Sequence, residues 1–345
     1  MHSLDVQTLD GLSDADRWLT YQQLRHAAEF KTGGVAVHWR GLSETEVEDL
    51  RSRVLLGWRP IAERNGLDLL EFDGGVEIRA RYANKGDAVR MVLDEISPDS
   101  PVAYLGDDAL TPIGSEALFS EQIIRLPRIP LTYAPPAGMP EPAPSPAAAR
   151  GYVTFGCFSR TARINDRVLD AWADILRRVP TARLTLNAKP FQEKSMRKAF
   201  RAHFAERGVK AGRLDLVYTT PQPTTWAAYG DIDIALDPFP HNAGTTTFEA
   251  LWLGVPVVSL ADRAPVGRFG KSILGAAGLG DWATDDVKAY VDKAVKAARD
   301  IPTLARLRAG LRDRIEQSPL RDPTGLARVL ENAYRDLYLA RADRR

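Results

Sequence analysis

Three threonines at positions 245–247 have the clearest chemical potential in this chain. They follow a loop that contains His241 and Asn242, and they open the stretch FEALWLGVPVVSL, whose pattern predicts a helix followed by a strand. The first N–H groups of a helix have no intrahelical partner and carry partial positive charge, so they attract phosphate. The pattern therefore predicts a diphosphate site at residues 241–247, with N-capping by the threonines as the structural alternative.

Three further residues add charge near this site. Glu249 lies one turn beyond position 245 on the same helix side, so it is a candidate for the same ligand; a favourable acidic charge in the first helical turn is the alternative. Arg160 and Arg163 follow the strand predicted at 152–157, and open α/β sheets bind ligands at the carboxyl ends of their strands. Their guanidinium groups suit a diphosphate, and solvated loop arginines are the alternative.

Alternating strands and helices must position these residues. Apolar strand segments after residue 151 are separated by helical segments, which is the pattern of a doubly wound parallel sheet. Residues 285–340 have the three- and four-residue apolar spacing of a helical tail. The predicted strands are 152–157, 182–187, 213–217, 232–237 and 255–260, and the predicted helices are 165–178, 191–207, 223–230 and 245–253. The C-terminal part is therefore predicted to be a Rossmann-like α/β lobe.

A proline-rich run divides the sequence. Residues 133–151 contain six prolines, and this composition predicts an extended linker without a regular element. Before it the pattern is α+β, with a strand, a charged helix and a hairpin that turns at Asp73-Gly74-Gly75. The domain prediction is a small α+β segment over 1–110, a connecting segment over 111–151 and a nucleotide-binding lobe over 152–345.

Composition and charge exclude several classes of protein. The 345 residues include 46 basic and 45 acidic ones, a net charge of +1, which argues against nucleic acid or an anionic membrane as the main partner. No apolar run approaches the ~20 residues of a membrane span, and the start has no signal pattern. The single cysteine, Cys157, suits a reducing compartment. We therefore expect a soluble, cytoplasmic protein.

Residues 114–340 resemble the C-terminal catalytic part of the O-GlcNAc transferase/SPINDLY family, glycosyltransferases of GT-B architecture. The matching motifs, in the family's order, are GSEALFSEQIIRLPR, FGCFSRTARINDRVLDAWADILRRVP, DIDIALDPFPHNAGTTTFEALWLGVPVV and GRFGKSIL. The resemblance implies a GT-B donor lobe that binds a UDP-sugar, with UDP-GlcNAc as the first candidate. It also implies transfer to a protein acceptor without a cofactor.

The resemblance also implies roles for single residues. Thr245 and Thr246 would hold the diphosphate, Glu249 would bond the ribose hydroxyls, and Arg163 takes the place of a lysine that neutralises the leaving diphosphate. Thr225 stands where many relatives have a histidine near the base, which leaves the donor's base open. The acceptor lobe that precedes GSEALFSE in the family has no match here. A non-catalytic fusion product, which binds the donor without transferring it, is therefore a second interpretation.

Residues 31–108 resemble the trehalose-6-phosphate phosphatases of the haloacid-dehalogenase (HAD) group. The resemblance lies in GGVAVHWRG, GGVEIRARYANKGDAVRMVL and PVAYLGDD. It implies a truncated α+β segment like a HAD cap, in which Lys85 neutralises a phosphoryl group and Asp107 and Asp108 hold Mg²⁺. The strand with the attacking aspartate of that family has no counterpart here. A Mg²⁺-dependent phosphatase is the alternative function, and solvated charges at a helix start and a strand end are its structural alternative.

Overall fold

The computed structural model describes residues 5–31, 33–39, 44–72, 75–81 and 103–342. The chain divides into two compact units, Met1–Ser100 and Pro101–Arg345. The predicted hairpin turn at Asp73-Gly74 and the position of Lys85 lie outside the described residues.

The N-terminal unit is an antiparallel sheet with two helices, in line with the α+β pattern. Its elements are α1 (Val6–Tyr21), β1 (Ala28–Lys31), β2 (Gly34–His38), α2 (Glu44–Asn65), β3 (Leu67–Phe72) and β4 (Gly75–Ala80), with strand order β1-β2-β4-β3. The apolar pattern does not predict α1, because the face that α1 buries consists largely of small residues, including Gly11 and Ala15. A Cβ atom at Gly11 would lie 2.6 Å from the Asn65 Cβ, so α1 approaches the end of α2 closely.

A two-stranded parallel pair begins the C-terminal unit. β5 (Ala103–Gly106) pairs in register with β6 (Gln122–Arg125). Asp107 directly follows β5, and the unit boundary at residue 100 places it with the C-terminal unit. The predicted boundary at residue 110 instead places residues 101–110 with the N-terminal segment. The parallel pairing of β5 with β6 gives the physical reason for the difference.

The proline-rich run packs against the C-terminal unit. Carbonyl oxygens of Pro140 and Ala143 accept hydrogen bonds from Arg312 and Arg308, respectively. Its last residues form α3 (Pro146–Arg150), because proline is tolerated in the first helical turn and three alanines follow it. The prediction that this run holds no regular element is therefore wrong for α3.

A six-stranded parallel sheet forms the centre of the C-terminal unit. Its strands are β7 (Thr154–Cys157), β8 (Arg183–Asn187), β9 (Leu214–Val217), β10 (Ile234–Leu236), β11 (Val257–Leu260) and β12 (Ala283–Thr284), in the order β12-β11-β10-β7-β8-β9. Every adjacent pair is parallel. The chain adds β8 and β9 on one side of β7, then returns to add β10 to β12 on the other. The order of the sheet thus reverses between β7 and β10.

Helices follow the strands as the apolar spacing predicts. They are α4 (Asp166–Arg178), α5 (Lys194–Glu206), α6 (Gln222–Ala228), α7 (Thr245–Trp252), α8 (Phe269–Ala276), α9 (Val287–Arg299), α10 (Ile301–Glu316) and α11 (Pro323–Ala342). α4 shows why: Asn165 caps it by accepting the Val168 N–H, and one face buries Trp172 and Ile175. The predicted α/β class with a parallel sheet is confirmed. Among the described helices, none has the length and apolar character needed to cross a bilayer.

Arg308 offers a test of how the proline-rich run is held. Its side chain is 2% exposed, and it donates to the carbonyl oxygens of Ala143, Ile232 and Tyr229 at 2.6, 2.7 and 3.2 Å. Arg308→Met keeps an apolar stem but leaves three acceptors without a donor, so we expect the free energy of unfolding to fall by about 3 kcal/mol. Urea unfolding measures this change in the free energy of unfolding. The control is Arg306→Met on the exposed side of α10, and equal losses in both variants would contradict the assignment.

Candidate functional site

The predicted site residues converge at the carboxyl ends of β7 and β10, the neighbouring strands between which the sheet reverses its order. A narrow pocket at this point is lined by Phe158 and Ser159 after β7, by Asp237 and Pro238 after β10, and by Thr246 of α7. Open α/β sheets bind ligands in the crevice outside such a reversal. The pocket is therefore the candidate binding site.

Helix α7 begins at this pocket without a side-chain cap. Gly244 is its N-cap residue, and no side chain bonds to the first turn. Within the described residues, the N–H groups of Gly244, Thr245 and Thr246 donate to no acceptor, and the hydroxyls of Thr245 and Thr246 have no partner. The N-capping alternative is therefore wrong. Three consecutive amides and two hydroxyls remain available to an anion.

Thr247 and Asn242, also predicted to bind the ligand, face the protein interior. Thr247 is 2% exposed, and its hydroxyl donates to the Ala243 carbonyl oxygen at 3.0 Å. The Asn242 side chain donates to two main-chain carbonyl groups and accepts the N–H of Gly270. The polar atoms of both side chains are buried and already hydrogen-bonded within the protein. We therefore infer that both residues shape the loop rather than contact the ligand.

Asp237, which the sequence pattern identifies only as a strand end, holds the loop in place. Its carboxylate is buried; Oδ1 accepts the Ala243 N–H at 2.8 Å, and Oδ2 accepts the Ser259 hydroxyl at 2.6 Å. Burial raises the pKa of Asp237 to about 7, against the opposing effects of these two hydrogen bonds and of the Arg163 charge. An acidic residue between an apolar strand and the loop before a helix that is predicted to bind phosphate is the sequence signal that identifies it.

Arg163 lies beside Asp237 in the 3-10 turn that follows β7. Its Nη1 donates to the Ser159 hydroxyl at 3.3 Å, and within the described residues it forms no ion pair with a carboxylate. Desolvation, and then the Arg163 charge, lower the pKa of His241, so the structure brings Arg163, His241 and Asp237 together. Arg160 is exposed, and its side chain has no hydrogen-bond or ion-pair partner among the described residues.

Glu249 lies beneath the α7 N-terminus. It is 8% exposed, and its carboxylate accepts the Trp226 indole N–H at 3.2 Å and the Tyr229 hydroxyl at 3.5 Å. Burial raises the pKa of Glu249, while these two bonds oppose the shift. The alternative of a charge in the first helical turn is wrong, because that turn holds no acidic residue. A contact with ribose hydroxyls stays a prediction, and each carboxylate oxygen retains a lone pair with which it could accept a further hydrogen bond.

Asp107 and Asp108 lie at the end of β5. The carboxylate of Asp107 accepts the Leu110 N–H and the Ser272 hydroxyl, while Asp108 is exposed, 3.8 Å from Arg125. In the ranges that the structure describes, no group of three or more His, Cys, Asp or Glu side chains is arranged to hold a metal ion. The Mg²⁺-binding role of Asp107 and Asp108 stays a prediction, and Lys85 lies outside the described residues.

The parallel sheet and its helices are similar to those of GT-B glycosyltransferases. Residues 147–328, just over half of the chain, match glycosyl transferase family 41, and the chain belongs to this family. The resemblance predicted for the C-terminal part is thereby confirmed. The resemblance of residues 31–108 to trehalose-6-phosphate phosphatases stays a prediction.

Named relatives agree with this assignment. The chain is 37% identical over 219 residues to the probable UDP-N-acetylglucosamine–peptide N-acetylglucosaminyltransferase SPINDLY of Oryza sativa subsp. japonica, covering 63% of this chain and 24% of that protein. It is 29% identical over 158 residues to the Caenorhabditis elegans UDP-N-acetylglucosamine–peptide N-acetylglucosaminyltransferase, covering 46% of this chain and 13% of that protein. A mutant Thermobaculum terrenum O-GlcNAc transferase superposes with a TM-score of 0.63 and 39% identity, covering 68% of this chain and 45% of that one. The chain therefore spans about a quarter of the rice relative's length.

The close packing at Gly270 generates a stability test. A Cβ atom there would lie 1.9 Å from the Ser259 Oγ and 2.9 Å from the Asp237 Oδ2. Gly270→Ala should therefore lower the free energy of unfolding by about 1–3 kcal/mol. The control is Gly275→Ala in the same helix, where nothing lies within 4 Å of the added atom and a gain of about 0.5–1 kcal/mol is expected. Thermal unfolding compares the two, and a gain at both positions would contradict the packing.

Proposed function

We propose that this protein binds a UDP-sugar, with UDP-GlcNAc as the first candidate, at the N-terminus of α7, and that the site serves glycosyl transfer to a protein acceptor. Membership of family 41 supports the class of reaction, and the names of the relatives support the donor and the acceptor. The observation that carries the proposal is that the amides of residues 244–246 have no acceptor among the described residues, and that Arg163, which forms no ion pair there, lies beside Asp237 of the same pocket.

The chemistry of transfer explains why these groups matter. When the bond between the sugar and the diphosphate breaks, negative charge collects on the departing diphosphate. Donors that are already oriented toward that charge stabilise the transition state without reorganising. The amides of Gly244, Thr245 and Thr246 are held by the loop and the helix, and the Thr245 and Thr246 hydroxyls extend the set. Their role is to bind the diphosphate and to stabilise it as it leaves.

Arg163 would supply the positive charge on the same diphosphate. Its Nη1 bond to Ser159 orients the guanidinium while leaving its other N–H groups without a partner among the described residues. A guanidinium forms two parallel hydrogen bonds with phosphate oxygens, which an ammonium group cannot do. Arginine at this position therefore favours a fixed orientation of the diphosphate. His241, beside Arg163 and exposed, is a secondary candidate for contact with the ligand.

The part of the site that would contact the base differs from the pattern of many relatives. Thr225 replaces the histidine that the family resemblance places there, and its hydroxyl donates to the Thr219 carbonyl oxygen at 2.7 Å. Asn187 at the end of β8 donates to the Thr219 hydroxyl at 2.6 Å. A cluster of neutral polar groups therefore occupies this position. The choice of base is open to a direct comparison of UDP, GDP and ADP.

The two other functions predicted from the sequence stay hypotheses. A Mg²⁺-dependent phosphatase needs carboxylates that can bind a metal ion, but Asp107 is already bonded to Leu110 and Ser272. A non-catalytic fusion product would bind the donor without transferring it. Binding and transfer therefore need separate measurements.

Titration of the full chain with UDP, GDP and ADP by calorimetry tests the proposed ligand. We expect UDP to bind, and Thr246→Ala to weaken binding about tenfold or more, because it removes a hydrogen bond to a charged group. Thr324→Ala is the matched control, since Thr324 is an exposed threonine in the first turn of α11. Absence of any heat of binding with millimolar UDP, or equal affinity for UDP in Thr246→Ala and the wild type, would contradict the proposal.

The charge at position 163 gives a second test. Arg163→Ala should weaken UDP binding by about 10- to 100-fold, since it removes a charged donor to phosphate. Arg163→Lys should retain more of the affinity because it keeps the charge. Arg167→Ala removes a nearby arginine whose side chain is 60% exposed, so it should bind like the wild type. If Arg163→Ala and Arg167→Ala have the same affinity, Arg163 does not contact the diphosphate.

A further inference from the structure

A buried carboxyl group lies directly behind the unpaired amides of the proposed site. Asp237 is 3% exposed, and its Oδ1 holds the N–H of Ala243, the residue before the three free amides at 244–246. The Tyr290 hydroxyl donates to its main-chain oxygen at 3.1 Å. A negative charge thus stands beside a site that is proposed to bind a diphosphate. Repulsion between the two would weaken binding unless the carboxyl group becomes neutral.

Few charged groups compensate this carboxyl group. Arg163, from the turn after β7, faces it and stabilises its charged form. Cys157 of β7 and Tyr290 of α9 also face it, and burial keeps both groups neutral by raising their pKa values. β11 contributes the Ser259 hydroxyl, and α8 contributes Gly270, neither of which titrates near neutral pH. His241 of the same loop faces Arg163.

A bound diphosphate would change this balance. It would draw on the Arg163 charge that stabilises the Asp237 anion, and it would add its own negative charge nearby. Both effects favour the protonated carboxyl group. Resting on the proposed function, we propose that Asp237 takes up a proton when a nucleoside diphosphate sugar binds. Asp237 would then act as a positioning residue whose charge responds to the ligand.

The contacts of Asp237 permit both protonation states without moving the loop. Oδ1 accepts the Ala243 N–H in either state. Oδ2 accepts the Ser259 hydroxyl when ionised, and when protonated it donates to the same oxygen, because a hydroxyl group is both donor and acceptor. The proton comes from solvent, and no covalent bond between heavy atoms forms or breaks. The orientation of the three amides is therefore preserved.

The sign of the pH dependence follows from this linkage. The ligand-bound state holds more protons than the free state, so affinity rises as the pH falls. Because the pKa of free Asp237 is about 7, the uptake is large just above pH 7 and disappears at pH 5.5, where the free protein is already protonated. With a single linked proton, affinity changes by at most about tenfold per pH unit.

Calorimetry of the full chain with UDP-GlcNAc at pH 7.5, in buffers of different ionisation enthalpy, measures the uptake. Both phosphates of this ligand are esterified, so neither titrates near neutrality. We expect a positive uptake of less than one proton in the wild type. No binding at all would overturn the proposed function and this inference together, whereas binding with no buffer dependence would overturn the inference alone.

Two variants test which side chain takes up the proton when the ligand binds. Asp237→Asn reproduces the protonated form, with an acceptor for Ala243 and a donor for Ser259, so its affinity should not change between pH 6 and pH 8. His241→Asn should keep the proton uptake. Loss of the uptake in His241→Asn, or its persistence in Asp237→Asn, would contradict the assignment to Asp237.

Ser259→Ala provides a second test that does not depend on the folding of Asp237→Asn. It removes the hydrogen bond that stabilises the ionised carboxylate, so the pKa of Asp237 should rise further. The pH range in which uptake is observed should therefore move upward. An unchanged pH range in a folded Ser259→Ala protein, judged by near-ultraviolet circular dichroism, would overturn the proposal.

Discussion

The hydrogen bond from the Ala243 N–H to the Asp237 carboxylate is the interaction on which the site depends. It fixes the last peptide of the loop, so the next three N–H groups meet no acceptor in the part of the chain that the structure describes. Asn242 and Gly270 complete the arrangement, because the Asn242 amide bridges the loop to β11 and α8, and glycine lets α8 approach the carboxylate. The proposed anion site thus consists of main-chain groups that a buried acid holds in place.

Strand β10 has a buried aspartate at each end, and the two have separate tasks. At its start, Asp233 accepts the Ser145 hydroxyl and the N–H groups of Ala147 and Thr154, which ties α3 and β7 to β10. Arg308 binds the same region through three carbonyl oxygens. At its end, Asp237 holds the loop. Hydrogen bonds therefore tie the structure together at the amino ends of β7 and β10, where the strand order reverses. The pocket that is proposed to bind a ligand lies at the carboxyl ends of the same strands.

Patterns of local chemistry were sufficient to predict the parallel sheet. The five longer strands fall within the predicted segments because each is a short, buried apolar run, whereas β12 is only two residues long. The position of Thr245 and Thr246 at a helix start was accessible to the same reasoning, whereas the lack of a side-chain cap on the first turn became visible only in the structure. The inward direction of Thr247, Asn242 and Glu249 could not be predicted in this way, because it depends on how the loop and α7 pack in the folded chain. Asn242 and Glu249 bond to Gly270 and Trp226, which lie more than 20 residues away in the sequence. The carbonyl groups that accept hydrogen bonds from Arg308 also lie far from it in the sequence.

A crystal structure of the full chain with UDP tests the central claim most directly. The account predicts phosphate oxygens within about 3 Å of the main-chain nitrogen atoms of Thr245 and Thr246 and in contact with the guanidinium of Arg163, with Asp237 still bonded to Ala243. A diphosphate bound elsewhere in the chain, with the amides of residues 244–246 contacting water alone, would contradict it.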